Sequence, residues 1–313
     1  MTNQTQNHIV VLIPYFGKLP TYFPYFLESC KTNLQIDFLI FTDDESIQQK
    51  PAATNIKIYP FQLSTLNQLA SQKLQTPVTI TNGYKLCDFK PMYGKIFEDY
   101  ITSYSFWGFS DIDIILGNLK QLFTQERLQS FDVISLYDKF ISGPFCLFRN
   151  TDSVNTLFFK STSIKTILTQ TTYCGFDEMG SMDAMRQLWS GVPISETNSP
   201  IESFSHLVLN KEKFSGKCYF KSQIIDCELS EKEKVVFQKG QLFFNDTEIF
   251  LYHYLWNKSK IGFNAPPINP GSDFFFTQFG FFYPSFKSKT IDWGVSVFKN
   301  FRQKAKRKLK NLF

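Results

Sequence analysis

The sequence predicts an α/β fold: a mostly parallel central sheet with helices on both faces, followed by a β-rich C-terminal part. Short runs rich in Val, Ile and Phe alternate with amphipathic segments through the first half of the chain. Acids collect where those runs end, at Asp43, Asp44, Asp111 and Asp113. Past about residue 175 the texture changes to short alternating strands and turn residues. Open parallel sheets bind ligands at the carboxyl ends of their strands, so the clustered acids mark the edge to inspect.

The elements follow in order. "HIVVLIPYFG" (8–17) reads as a buried strand ending in a Pro/Gly loop, and "IDFLIFTDD" (36–44) and "NIKIYPF" (55–61) as the next two strands. "STLNQLASQKL" (64–74) has the spacing of a polar-faced helix. "KPMYGKIFEDYITSY" (90–104) predicts a helix with Pro91 in its first turn and one apolar face formed by Met92, Ile96, Phe97, Tyr100 and Ile101. "FWGFSDIDIILGNL" (106–119) reads as a long apolar strand, and "FDVISL" (131–136) and "GPFCLFRN" (143–150) as inner strands. A helix over about 178–190 precedes a Pro/Ser/Asn-rich loop. "KVVFQKGQLFFNDTEIFLYHYLW" (234–256) predicts strands with a hairpin at Lys239-Gly240. Residues 262–291, rich in Pro, Gly and Phe, read as irregular chain folded over the body.

Composition excludes several classes. The six cysteines have no paired spacing, which argues against a zinc ribbon or disulfide framework and for a reducing compartment. No secretory signal or membrane-spanning run is visible, so a cytoplasmic protein is expected. The net charge of +5 is carried by the tail "FKNFRQKAKRKLKNLF" (298–313), which has seven basic residues and no acid. Without it, 26 basic residues face 28 acids, unlike a uniformly basic nucleic-acid binder, and no nucleic-acid partner is expected. Within the tail Phe298, Phe301, Ala305, Leu309 and Leu312 recur at helical spacing. Such a basic amphipathic helix suits an anionic membrane surface, the inner face of the cell membrane; an RNA- or partner-binding tail is the rival reading.

Asp111 and Asp113 sit at the end of the apolar run 106–119. On a strand, residues two apart point to the same side, so both carboxylates would converge on one point. Paired carboxylate oxygens make a hard-cation site, for Mg²⁺ or Mn²⁺.

This stretch resembles the D-x-D strand of GT-A glycosyltransferases, which hold a nucleotide-sugar diphosphate through a divalent cation. The ordered set "LIPYFG … FLIFTDD … YKLCDFKPMYGKIF … FWGFSDIDIILGNL … SGPFCLFRN … GFDE … YHYLWNKSK" is similar to a little-characterised bacterial family assigned to GT-A transferases of surface-polysaccharide loci. More distantly it is similar to the glycogenin-like and lipooligosaccharide galactosyltransferases. In those, a C-terminal H-x-x-G-x-x-K supplies a third metal ligand and a phosphate-binding lysine. The corresponding "HYLWNKSK" has His253, lacks the glycine, and offers Lys258 or Lys260 at shifted spacing.

The resemblance implies a GT-A, Rossmann-like catalytic domain over 1–260, with a nucleotide-sugar half (about 1–150) and an acceptor half (about 151–260). A wrapping segment (261–291) and the basic tail (292–313) would follow. It implies metal ligation by Asp111, Asp113 and His253, and an imidazole ligand favours Mn²⁺ over Mg²⁺. Pro14, Tyr15 and Phe16 would cradle the nucleotide, and Asp43 would bond uracil or ribose. Lys90 suits a phosphate or an ion pair with the aspartates, while Asp88 contacts the nucleotide or caps the helix. Ser142 and Gly143 would let the donor sugar approach the backbone. Asp177 and Glu178 match the acceptor-side carboxylates: a general base in an inverting enzyme, a stabiliser of the sugar in a retaining one. The implied activity moves a hexose from a nucleotide donor, UDP-linked by expectation, to a glycan or lipid-linked acceptor.

Two rival classes were weighed. A nucleotidyltransferase shares the nucleotide fold and acidic metal site but usually has a Gly/Lys-rich first loop, and "IPYFGKLP" is poor in both. A non-enzymatic membrane- or nucleic-acid-docking protein would leave the ordered acid, lysine and histidine motifs unexplained.

Overall fold

The computed structural model describes residues 9–48 and 53–283. The basic tail expected at 292–313 lies outside the described residues. The chain divides into two compact units interleaved along the sequence. One comprises the residues up to Leu19 together with Leu34–Asp111 and Phe123–Ser222; the other comprises Pro20–Asn33, Ile112–Leu122 and the residues from Gln223 onward.

In chain order the first strands are β1 (Ile9–Tyr15), β2 (Ile36–Thr42), β3 (Ile56–Pro60), β4 (Phe106–Ser110), β5 (Ile114–Leu116), β6 (Val133–Ser135), β7 (Phe145–Arg149) and β8 (Cys218–Phe220). They continue with β9 (Ile224–Ile225), β10 (Val235–Gln238), β11 (Gln241–Phe244), β12 (Thr247–Ile249), β13 (Leu251–His253), β14 (Phe274–Thr277) and β15 (Gly280–Phe282).

The first unit is built on a seven-stranded sheet of order β3-β2-β1-β4-β7-β6-β8. Its pairings are parallel except where β7 runs antiparallel to β4 and β6. This is the mostly parallel sheet expected from the alternating pattern. Strand β1 is apolar at consecutive positions because Val10, Val11, Leu12 and Ile13 are all buried, as both faces of a parallel sheet require. The helix Leu63–Leu74 buries Leu66, Ala70 and Leu74, four residues apart, in a core that includes Trp107, Phe109 and Phe148.

The helix expected over 90–104 is instead three short turns: a 3₁₀ turn at Lys90–Met92, one α turn at Tyr93–Ile96 and a second 3₁₀ turn at Glu98–Tyr100. Its apolar residues still face inward, with Met92, Tyr93, Ile96 and Phe97 buried. Gly94 explains part of the difference. It is a poor helix former, and a Cβ there would collide with the buried Trp107 ring. Close packing on β4 therefore outweighs helical propensity, and it holds Lys90 near the end of that strand.

The strand expected over 106–119 is broken. β4 ends at Ser110, residues 111–113 form a bend, and β5 joins a different sheet. The alternation argument for Asp111 and Asp113 thus fails, because neither residue lies in a strand. Their closeness comes from the single intervening residue, which holds their Cα atoms within roughly 7 Å.

The second unit contains an antiparallel sheet of order β12-β11-β10-β14-β15 and a three-stranded sheet of order β5-β13-β9. The hairpin expected at Lys239-Gly240 is present, with φ of 50° and 79° at the two residues. Asn245 and Asp246 (47° and 65°) make the next turn, and positive φ at both central residues is the turn that fits strand twist. The irregular chain expected over 261–291 contains the β14–β15 pair. Phe274 and Phe276 point inward at strand spacing and, with Phe281, pack on Tyr25, Tyr252 and Tyr254. Pro and Gly content concealed that alternation. Among the described residues no helix is long and apolar enough to cross a membrane.

Gly94→Ala should lower stability by about 1–3 kcal/mol through overpacking on Trp107. A urea titration followed by fluorescence should show an earlier midpoint at unchanged slope.

Candidate functional site

In the first unit the site begins at the carboxyl end of β4. The Asp111 amide donates to Pro144 O at 2.9 Å, which fixes the backbone where the strand ends. Lys90 is buried beside it, with Nζ 2.7 Å from Asp111 Oδ1, 2.8 Å from Gly143 O and 3.6 Å from Asp177 Oδ2. Asp111 and Gly143 O lie within hydrogen-bond distance of the ammonium, while Asp177 stands at ion-pair distance. Burial opposes the charge on Lys90, but the neighbouring carboxylates, Asp111 foremost, outweigh it and raise the pKa well above the usual lysine range. The ion-pair reading of Lys90 therefore holds for Asp111.

The loop carrying Asp177 and Glu178 is tied down by Asp88. Asp88 is wholly buried, ion-paired to the equally buried Lys85 at 3.0 Å, and accepts from the amides of Cys174 (2.9 Å) and Phe176 (2.8 Å). It neither caps the segment beginning at Lys90 nor has a face left for a nucleotide. It follows the short helix Gly83–Cys87, whose N-cap is Asn82. Asp88 is a loop anchor, because a buried carboxylate needs donors and the folded loop supplies two amides.

Asp177 is buried, and Tyr173 Oη donates to its Oδ1 at 2.8 Å. Burial raises its pKa to about 6 against the opposing charge of Lys90. Glu178 is raised to about 8 by burial and then by the charge of Asp177. Its Oε1 accepts from the Gly143 amide at 3.0 Å, and Ser203 Oγ donates to its backbone oxygen at 2.8 Å. Neither acid caps the following helix, Met182–Trp189, where Ser181 accepts from the Ala184 amide. The space over Gly143, expected to admit a sugar, is taken by the Glu178 carboxyl, which a Cβ would meet at 2.5 Å. Ser142 is buried, and its hydroxyl has no hydrogen-bond partner among the described residues.

The first-strand loop is clasped by the acids that follow β2. Asp43 Oδ1 accepts from the Gly17 amide at 2.7 Å, and Asp44 Oδ2 from the Leu19 amide at 2.8 Å. Gly17 has φ of 89°, a conformation suited to glycine. Asp43, expected on the nucleotide, thus has one oxygen engaged by its own protein, and Asp44 does more than face solvent. Pro14 and Tyr15 pair in register with Phe41 and Thr42, while Phe16 packs partly into the core.

In the second unit β13 runs antiparallel to β5 with His253 opposite Ile114, and the Tyr254 amide donates to Asp113 O at 3.1 Å. That register sets His253 beside Asp113. His253 Nε2 lies 3.3 Å and Lys258 Nζ 2.6 Å from Asp113 Oδ2. Asp113 is 5% exposed. Burial pushes its carboxyl up, but His253 and then Lys258 outweigh that and hold it well below the usual carboxylate range. Burial likewise opposes charge on His253, and the neighbouring carboxylates of Asp113 and Asp226 outweigh it and raise it to about 10. Of the two candidate lysines, Lys258 reaches Asp113, whereas Lys260 pairs with the exposed Glu228. The shifted spacing follows from the short helix Leu255–Lys258, which turns Lys258 back toward Asp113.

Asp113 and His253 meet in the second unit, and Asp111 stands two residues earlier in the chain; each of the three can offer one ligand atom. Two carboxylates and an imidazole form a donor set suited to Mn²⁺ and compatible with Mg²⁺. Two residues escaped the sequence reading. Asp226, whose Oδ2 is 3.2 Å from His253 Nδ1, follows the two-residue strand Ile224–Ile225, too short to register as a pattern. Tyr173 sits in a loop without periodicity, and only its place four residues before Asp177 hints at a role.

Residues 11–266 match the model of a family described as a family of unknown function (DUF6625). No curated protein matches the chain significantly.

Raised carboxyl pKa values mean that the folded state holds more protons than the unfolded chain between about pH 4 and pH 8. Asp177 and Glu178 must therefore erode stability as pH rises through that window. Glu178→Gln should flatten the fall, recovering about 1–3 kcal/mol at pH 8 relative to pH 5. Urea midpoints at the two pH values measure it.

Proposed function

The chain belongs to the DUF6625 family, and we propose that it is a metal-dependent GT-A glycosyltransferase, a hexosyltransferase acting from a nucleotide-sugar donor. The observation that carries the reading is the meeting of Asp113 with His253 two residues after Asp111, with a lysine on each aspartate. The resemblance of the ordered motifs, the D-x-D stretch foremost, supports it further.

Asp111, Asp113 and His253 would hold Mn²⁺ or Mg²⁺, and a bound divalent ion supplies Lewis-acid stabilisation to a departing nucleoside diphosphate. The residues of the chain do the rest. Lys258 is placed to trade its contact with Asp113 for a phosphate oxygen, adding charge stabilisation where negative charge develops. Lys90 keeps Asp111 in place within the first unit and screens it from Asp177. Asp177, raised to about 6 and steadied by the Tyr173 hydroxyl, is ionised at neutral pH yet basic enough to take the proton of an acceptor hydroxyl. In a retaining enzyme the same carboxylate would stabilise the sugar instead. Glu178 holds the Gly143 amide and shapes that wall.

The donor is proposed to be a UDP-sugar and the acceptor a cell-surface glycan or lipid-linked saccharide. A lipid-linked acceptor agrees with the basic composition of 298–313, proposed to rest on the anionic inner face of the cell membrane.

Asp113→Asn should abolish metal-dependent hydrolysis of the donor while the circular dichroism spectrum stays native; wild-type turnover in that variant would remove the assignment. In a thermal-shift screen, a UDP-sugar with Mn²⁺ should raise the melting temperature where neither does alone. Binding at a hundredfold excess over Kd adds about 2.7 kcal/mol. A shift with nucleoside triphosphates alone would favour a nucleotidyltransferase.

A further inference from the structure

We infer that Asp226 is the positioning residue of the metal centre, locking the His253 ring so that Nε2 faces the cation. Asp226 has this role only if the metal reading above holds. Strand β13 lies between β5 and β9, antiparallel to the first and parallel to the second. Its parallel register pairs Leu251 with Ile224 and Tyr252 with Ile225. The next step along both strands brings His253 level with Asp226, so the topology itself places a carboxylate at the ring.

The two edges of that ring are then distinguished. Nδ1 lies 3.2 Å from Asp226 Oδ2, and Nε2 lies 3.3 Å from Asp113 Oδ2. With the backbone fixed by strands on both sides, rotation of the side chain is the freedom that remains to His253. A carboxylate this close to Nδ1 favours a proton on that nitrogen, and with a cation bound it would draw Nδ1–H toward itself and leave the Nε2 lone pair for the ligand bond. It also makes the imidazole a stronger donor. The two carboxylates are not equivalent. Asp113 is met by Lys258 as well as the ring and is nearly inaccessible, whereas the Asp226 side chain is 21% exposed and stands on the far edge of the ring.

The experiment is Mn²⁺ binding to the full chain at neutral pH, followed by the electron paramagnetic resonance signal of unbound Mn²⁺, for wild type, Asp226→Asn, Asp226→Ala and Glu228→Gln. Asp226→Ala should bind Mn²⁺ about 10–100-fold more weakly than wild type. Asp226→Asn keeps an acceptor oxygen for Nδ1–H and should recover part of that loss, a rescue that nonspecific loosening of the strand would not give. Glu228→Gln removes a nearby exposed carboxylate and should leave the affinity unchanged. Urea midpoints identify any variant that fails to fold, and Asp226→Asn then carries the test. Equal Mn²⁺ affinity in wild type and both Asp226 variants overturns the positioning role and leaves the metal centre standing. A folded wild type that binds no Mn²⁺ overturns the centre, and the role of Asp226 with it.

Discussion

A carboxylate drawn out of water is tolerated only where a cation or several donors meet it, and this fold carries several such carboxylates in or next to its core. Asp88 is met by Lys85 and two loop amides, Asp111 by Lys90, and Asp113 by His253 and Lys258. Satisfying Asp88 pins the chain at Cys174 and Phe176, and that anchored loop delivers Asp177 and Glu178 to the neighbourhood of Lys90. Without the buried Lys85–Asp88 pair the loop would lose two of its backbone bonds. The acids of the site are thus held by the requirement that other buried charges be answered.

Different answers give different proton affinities. Asp113, with two cationic neighbours, is held far down; Asp177 and Glu178, where burial outweighs the charge of Lys90 and the two acids are close to each other, are pushed up to about 6 and about 8. Surroundings that separate carboxyl pKa values in this way hold neighbouring acids in different protonation states over one pH range. Lys90 reaches both Asp111 and Asp177, and its charge keeps these two acids in one first-unit arrangement.

Much of the architecture was legible because strand burial imposes apolar runs and turns impose their own residues. Strands β1 to β3, the helix Leu63–Leu74 and the Lys239-Gly240 turn stand where pattern and turn chemistry place them. The helix over 90–104 was misread because Gly94 packs on Trp107, a contact between residues thirteen apart that periodicity does not encode. The β14–β15 pair was hidden by the Pro and Gly content around it, although its alternate Phe residues obey strand spacing. Asp88 looked like a cap because aspartates cap helices well; the two amides it accepts from lie more than eighty residues away.

By itself the sequence determined the chemistry on offer: an Asp-x-Asp at the end of an apolar run, a histidine among aromatics and lysines, and a Gly-Phe-Asp-Glu loop. Residue type fixes what an atom can donate, accept or ligate. Tertiary structure alone decided which of those atoms meet. The break after β4, the register of β13 against β5 and β9, and the short helix after His253 set Asp113, His253, Lys258 and Asp226 together, while Lys260 was turned away to Glu228. Such meetings follow from strand pairing between segments distant in the chain, β5 and β13 being more than a hundred residues apart, and its register is set by the burial of whole strands and not by the acids themselves.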